Sequence, residues 1–136
     1  MSGHILVWRV VLGVYAGLIF TLSSLPVGGG EPLLPIPCGD KLIHFLEFGC
    51  FFFLVWRSLP LPRRLSWSLS LTSLYAASDE FHQIFVLTRE ASLLDWFADV
   101  AGGTVAAALI VLFTRFSLLG IWRGRIIKGM SQRNGG

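Results

Sequence analysis

The sequence predicts an all-α fold, an integral membrane bundle of four transmembrane helices with both termini in the cytoplasm. The 136-residue chain is 54% hydrophobic, with a mean hydropathy of +0.69, which is too apolar for an ordinary soluble domain. It also contains four mostly apolar stretches, at roughly 6–24, 42–59, 66–85 and 95–116, and each is close to the length that a helix needs to cross a bilayer. Backbone groups in a bilayer must bond internally, so helices are expected.

The first stretch carries Arg9 and ends at Ser23-Ser24-Leu25-Pro26. A charge, a short apolar run and small residues are also typical of a cleaved signal peptide. Its removal would place the basic connection between the second and third stretches outside, against the positive-inside rule. We therefore expect a retained span, followed by an extended loop over residues 26–39, which is rich in proline and glycine.

The second and third stretches are joined by a short turn that contains Pro60 and Pro62. Asp40 stands where the second helix begins, and its carboxylate is expected to cap that helix. Hydroxyl groups in a membrane helix bond within the helix or face protein more often than lipid. We therefore expect the third helix to be central, since it carries Ser66, Ser68, Ser70, Thr72, Ser73 and Ser78.

The fourth stretch carries Ala98, Gly102 and Ala106 at four-residue spacing, a stripe of small residues that lets another helix approach closely. The stripe offers a route to a homo-oligomer, and Asp95 is expected to cap this helix. We divide the chain into a membrane domain at 1–118 and a basic cytoplasmic tail at 119–136, which we expect to be disordered and attracted to anionic lipid.

The basic residues set the predicted orientation. Net charge is +3, which in a soluble protein would suggest nucleic acid, but a position beside the membrane explains it better and no nucleic-acid partner is predicted. All Lys and Arg except Lys41 and Arg89 lie near the start of the first span, at or beside the connection between the second and third spans, or from the end of the fourth span onward. By the positive-inside rule these parts are cytoplasmic, so the protein is placed in the plasma membrane, with the other two loops facing outward.

All eight acidic residues lie in two short windows, residues 31–47 and 79–99. Spacings of three and four residues put side chains on one helical face, so Asp40, His44 and Glu47 share a face of the second helix. Asp79 and Gln83 share a face of the third. Ionisable groups at membrane depth are costly and mark functional sites.

Three helices bring ionisable groups to a similar depth. With a rise of about 1.5 Å per residue, His44, Asp79 and Asp99 lie roughly 3–10 Å below the outer boundary. Asp95 shares a face with Asp99. Because neighbouring helical residues point about 100° apart, Asp79 and Glu80 are not expected to point inward together.

These positions predict an outward-facing polar pocket. Arg89 is the nearest strong cation and can hold a carboxylate or phosphate with paired donors. Candidate catalytic residues are Asp79, Glu80 and His44. The predicted ligand-binding residues are Asp40, Lys41, His44, Glu47, Asp79, Glu80, Gln83, Arg89, Asp95 and Asp99.

Three segments resemble the VanZ-like family of small membrane proteins: 40–48 (DKLIHFLEF), 79–85 (DEFHQIF) and 94–103 (LDWFADVAGG). Arg89 lies between the last two, and the resemblance extends over about residues 15–115. The family is named for a protein associated with teicoplanin resistance. Where the family usually has a proline in the outer loop this chain reads Val86-Leu87-Thr88, and Asp99 stands where Asn is common.

Three functions remain open. The pocket favours binding of an anionic lipid or lipid-linked wall precursor, and the resemblance adds a contribution to glycopeptide resistance. An enzyme acting on a lipid headgroup would use Asp79 or Glu80 as a base with His44. A small proton-coupled transporter is the third. No cofactor is predicted, and no metal, because no compact ligand motif is present; Cys38 and Cys50 are interpreted as free thiols.

Overall fold

A computed structural model describes residues 3–26, 38–60 and 62–133, with side chains up to residue 117. Four helices follow one another in this part of the chain: α1 (Gly3–Ser23), α2 (Gly39–Ser58), α3 (Arg64–Gln83) and α4 (Leu93–Arg133). No strand occurs in the described ranges. The predicted all-α class with four helices is therefore confirmed, while most of the predicted loop at 26–39 lies outside the described residues.

Helix α4 is longer than the sequence predicted. It runs for 41 residues and its backbone stays helical to Arg133. The disorder expected after residue 118 is therefore wrong as far as Arg133. No proline follows Pro62, so nothing in the chain forces the helix to stop, and the three glycines in its last third only weaken it.

The surface of the helices is consistent with a membrane protein. By length and composition, α1 (Gly3–Ser23) and the Leu93–Ser117 part of α4 are each able to cross a bilayer. Large apolar side chains such as Val14, Leu74 and Phe113 are exposed, and a soluble domain rarely leaves so many uncovered. Helices α2 and α3 are each 20 residues long but carry more charged and hydroxyl groups.

Aromatic residues join the helices at the core. Ile19, Phe48, Phe51, Val55 and Ala76 form a buried cluster. Around it, the Tyr75 hydroxyl of α3 donates to the Ala16 carbonyl of α1 at 2.7 Å. The Tyr15 hydroxyl of α1 donates to the Glu47 carbonyl of α2 at 3.2 Å. Each bond gives a tyrosine hydroxyl a partner, because an unbonded hydroxyl buried among apolar side chains would destabilise the fold.

Helices α2 and α3 each contact all three other helices. The central position expected for α3 from its hydroxyl groups is therefore present, although α2 has the more extensive contacts. Helix α1 does not pack on α4 in the described part of the chain. Several α3 hydroxyls bond back to their own helix. Ser66 donates to Arg63, Ser68 to Arg64 and Ser78 to Tyr75.

Helices α2 and α4 approach each other most closely at Gly102. A Cβ at this position would overlap the carbonyl oxygen of Phe45 in α2, and a Cβ at Gly49 would lie 3.4 Å from the Gly102 carbonyl. The small-residue stripe is therefore used at Gly102 for packing inside the chain. The homo-oligomer contact suggested along Ala98, Gly102 and Ala106 stays a prediction.

Replacing Gly102 by alanine is expected to lower the thermal unfolding midpoint in detergent, measured by circular dichroism. The new methyl group meets a backbone carbonyl that cannot turn away, and overpacking of this kind costs about 1–3 kcal/mol. Gly13→Ala is the matched control, because a Cβ there meets nothing within 4 Å and alanine favours a helix by about 1 kcal/mol. Equal midpoints for the two variants would contradict this account.

Candidate functional site

One end of the bundle, where α1 and α3 finish and α2 and α4 begin, holds the polar residues and is called the site end. Here His44 of α2 meets Asp99 of α4. His44 Nδ1 lies 3.0 Å from Asp99 Oδ1, and Asp99 is 0% exposed. His44 precedes Phe45 and Asp99 lies one turn before Gly102, so the close helix contact aligns this pair. The sequence placed His44 and Asp99 at a common depth, and the structure brings them together as a bonded pair.

Glu80, in the last turn of α3, faces the same point. Its Oε2 accepts the backbone N–H of Ser92 at 2.6 Å, where α4 begins, and the positive end of a helix favours a carboxylate. One ligand atom each from His44, Glu80 and Asp99 lies within 4.8 Å of the others. These three residues are called the His-Glu-Asp cluster.

The cluster has uncompensated polar atoms. Oε1 of Glu80 and Oδ2 of Asp99 are buried and have no hydrogen-bond partner. In the described part of the chain, neither carboxylate is paired with a lysine or arginine. A buried charge without a partner is strongly unfavourable, so the arrangement calls for a proton, a cation or a ligand.

Asp79 serves a different purpose from Glu80. It is 5% exposed, and its carboxylate accepts the Ser23 hydroxyl of α1 at 2.7 Å and the Gln83 amide at 3.1 Å. Both acids are buried, so the expectation that only one would point inward is wrong. Asp79 points towards α1 and Glu80 towards α4, because α3 packs against helices on both sides.

Lys41 forms an ion-pair bridge above the cluster. Its Nζ lies 2.7 Å from Asp40 Oδ2 and 2.5 Å from Asp95 Oδ1. The hydrogen bond from Lys41 lowers the pKa of the exposed Asp40 carboxyl. The bonds to Asp40 and Asp95 raise the pKa of the Lys41 ammonium, so this cation stays charged and links the start of α2 to the start of α4.

Neither predicted carboxylate cap is present. The residue before α2 is Cys38, and no side chain caps that helix. At α4 the cap is Ser92, whose hydroxyl accepts the Asp95 N–H at 3.3 Å. Ser92-Leu93-Leu94-Asp95 has the Ser-x-x-acid pattern of a helix start, a signal that identifies Ser92 from sequence.

Arg89 forms no ion pair with an acid in the described part of the chain. Thr88 has a φ of 67°, unusual for a β-branched residue, and turns the chain just before it. The Arg89 guanidinium then donates to the carbonyls of Leu25 at 3.2 Å and Leu22 at 3.0 Å. The last carbonyls of a helix lack partners within it. Arg89 therefore caps the C-terminal end of α1.

The predicted set therefore divides into groups. Asp40, Lys41 and Asp95 form the bridge. Asp79 joins α3 to α1 and also accepts the Gln83 amide, and Arg89 caps α1. Glu47 is half-buried one turn after His44, within electrostatic range of it and of Asp99. Ser23 and Ser92 were missed; no local pattern marks Ser23, because its partner is 56 residues away.

Comparison with known proteins gives three findings. The family model described as VanZ/LLP1 matches residues 10–114. This range includes every residue of the site end named above. An uncharacterized protein of Schizosaccharomyces pombe is 27% identical over 113 residues, which cover 81% of this chain and 68% of that protein. No solved structure matches the chain.

Replacing Asp79 by alanine is expected to lower stability. The change leaves the Ser23 hydroxyl and the Gln83 amide without their buried acceptor, at about 1–3 kcal/mol for an unsatisfied group. The check is the thermal unfolding midpoint in detergent. Asp40→Ala, which removes an exposed carboxylate, should leave the midpoint nearly unchanged. Equal unfolding midpoints for the two variants would show that Asp79 does not have this structural role.

Proposed function

The chain belongs to the VanZ/LLP1 family, and we propose that it is a multi-pass protein of the cell-envelope membrane that binds the headgroup of an anionic lipid or lipid-linked wall precursor. The observation that supports this is the His-Glu-Asp cluster, in which one buried carboxylate oxygen of Glu80 and one of Asp99 have no hydrogen-bond partner in the described structure. The cluster lies one to two turns from the helix ends, a depth that a headgroup reaches.

The proposed arrangement has four spans, with both termini in the cytoplasm. Each helix has at least 20 residues, enough for the roughly 30 Å of hydrocarbon. The end opposite the cluster carries cation–aromatic pairs, with Arg57 4.7 Å from the Trp8 ring centroid and Arg64 3.5 Å from that of Trp56. Tryptophan is typical of either membrane interface and arginine of the cytoplasmic one, which supports an outward-facing cluster.

Lys41 supports an anionic ligand. It is 30% exposed and lies beside Asp95 on the way from the α2 start to the cluster. An ammonium group here can contact a headgroup phosphate, while the groups below it bind the remainder of the headgroup. The further proposal of reduced sensitivity to teicoplanin rests on the family resemblance, through capture of a wall precursor at this site.

A second function, a reaction on a lipid headgroup, is favoured by one contact. An ionised Asp99 can only accept, so its bond with His44 Nδ1 leaves Nε2 of the imidazole as the basic nitrogen. A carboxylate that orients a histidine in this way is the arrangement of a general base. Under this alternative, membranes that contain the protein differ in lipid composition from membranes that lack it, and lipid mass spectrometry measures the difference.

The native cysteines test the proposed orientation. Cys38 precedes α2 at the site end, and both cysteines are exposed in the structure. In the Cys50→Ser variant, a membrane-impermeant maleimide added to intact cells should label Cys38. In a chain with both cysteines replaced by serine, Pro62→Cys should be labelled only after permeabilisation. The reverse pattern would contradict the orientation.

Loss of cluster carboxylates is expected to weaken lipid binding at least tenfold. Hydrogen bonds to charged groups contribute about 1.5–3 kcal/mol, and about 1.4 kcal/mol corresponds to tenfold in affinity. Native mass spectrometry would compare phosphatidylglycerol retained by wild type, Glu80→Gln and Asp99→Asn. Glu90→Gln is the control, because Glu90 is exposed in the turn before α4. Equal retention by all four proteins would contradict binding at the cluster.

A further inference from the structure

The His-Glu-Asp cluster has too much negative charge for its surroundings. Glu80 is 7% and Asp99 0% exposed, and the only charged or titratable group bonded to either in the described part of the chain is His44. Lys41 is engaged by Asp40 and Asp95, and Arg89 by the end of α1. No cationic side chain seen in the described structure neutralises the two carboxylates.

We propose that the cluster binds one divalent transition-metal ion, with Mn²⁺ or Zn²⁺ as its probes. An imidazole nitrogen and carboxylate oxygens are suitable ligands for such ions. Metal–ligand distances of about 2.0–2.2 Å place the ligands of one ion up to about 4.4 Å apart. The three ligand atoms already lie within 4.8 Å of one another, so binding needs only small side-chain movements.

The unpartnered oxygens are independent support for a cation. Oε1 of Glu80 and Oδ2 of Asp99 are buried without a hydrogen-bond partner, although buried polar atoms are nearly always bonded. A divalent ion bound between the two carboxylates would compensate their buried charge. The sequence predicted no metal because ligand motifs are recognised within one helix; here the ligands come from α2, α3 and α4, and only packing brings them together.

Three protein ligands leave at least one coordination position for another group. Resting on the proposed function, a phosphate oxygen of the lipid headgroup is the group that fits. Without a cation, two carboxylates repel a phosphate, whereas a bound divalent ion neutralises both carboxylates and offers an open coordination position to a phosphate oxygen. The metal thereby accounts for an acidic cluster that accepts an anionic headgroup.

The test uses the full chain, purified in detergent, stripped with EDTA and desalted. Mn²⁺ is titrated while electron paramagnetic resonance measures the free ion, and Zn²⁺ is titrated against a chromogenic chelator. We expect about one ion per chain, with affinity reduced at least tenfold in His44→Ala, Glu80→Gln and Asp99→Asn. Exposed His4→Ala and Glu90→Gln are the controls and should bind as wild type.

Stability separates loss of a ligand from loss of the fold. Without metal, Asp99→Asn keeps the shape and removes a buried charge, so its unfolding midpoint should equal or exceed that of wild type. If His44→Ala fails to fold, Asp99→Asn and Glu80→Gln decide the outcome. The proposal is overturned if stripped wild type binds neither ion, or if the cluster variants that fold bind as tightly as the controls.

The metal and the lipid are tested separately, because the titration contains no lipid. Retention of phosphatidylglycerol is then measured with EDTA and with added Mn²⁺. Lipid retained only with metal supports the metal site. Lipid retained in EDTA by a chain that binds no ion overturns the metal site and leaves the proposed function standing. Metal binding without lipid retention supports the site and removes the proposed ligand.

Discussion

The close approach of α2 and α4 at Gly102 is the contact on which the polar end of the bundle depends. A backbone carbonyl of α2 occupies the space that any side chain at this position would need. The contact fixes the separation and rotation of the two helices one turn from His44 and Asp99. These two residues can therefore meet at hydrogen-bond distance, and the same packing brings the start of α4 to Glu80.

Helix packing gives the neighbouring acids Asp79 and Glu80 different bonding partners. Asp79 has satisfied bonds to α1 and to its own helix, so it stabilises the bundle. One carboxylate oxygen of Glu80 accepts a hydrogen bond from the start of α4, and the other has no partner. Two carboxylates thus differ in their bonding, one fully bonded and one with an unpartnered oxygen, because helix geometry turns them towards different neighbours.

The cluster lowers the folding stability of the chain, and this is the strongest reason to assign it a function. Buried carboxylates without cations oppose folding, and apolar surfaces around the bundle offer them no water. Three other polar groups of the site end are paired: Lys41 with two acids, Arg89 with carbonyls and Asp79 with donors. A local conflict in an otherwise consistent structure is typical of a binding or catalytic site.

The sequence by itself determined the class of fold, the number of helices and the family, because apolar length, prolines and the motif blocks are local features. It also identified His44, Glu80 and Asp99 as candidates, since helical spacing assigns each to a face. Only the tertiary structure decided that these three meet while Asp79, Lys41 and Arg89 bond elsewhere. Partners such as Ser23 and Asp79 are far apart in sequence, and the relative rotation of packed helices, which decides such meetings, is not encoded in the pattern of any single helix.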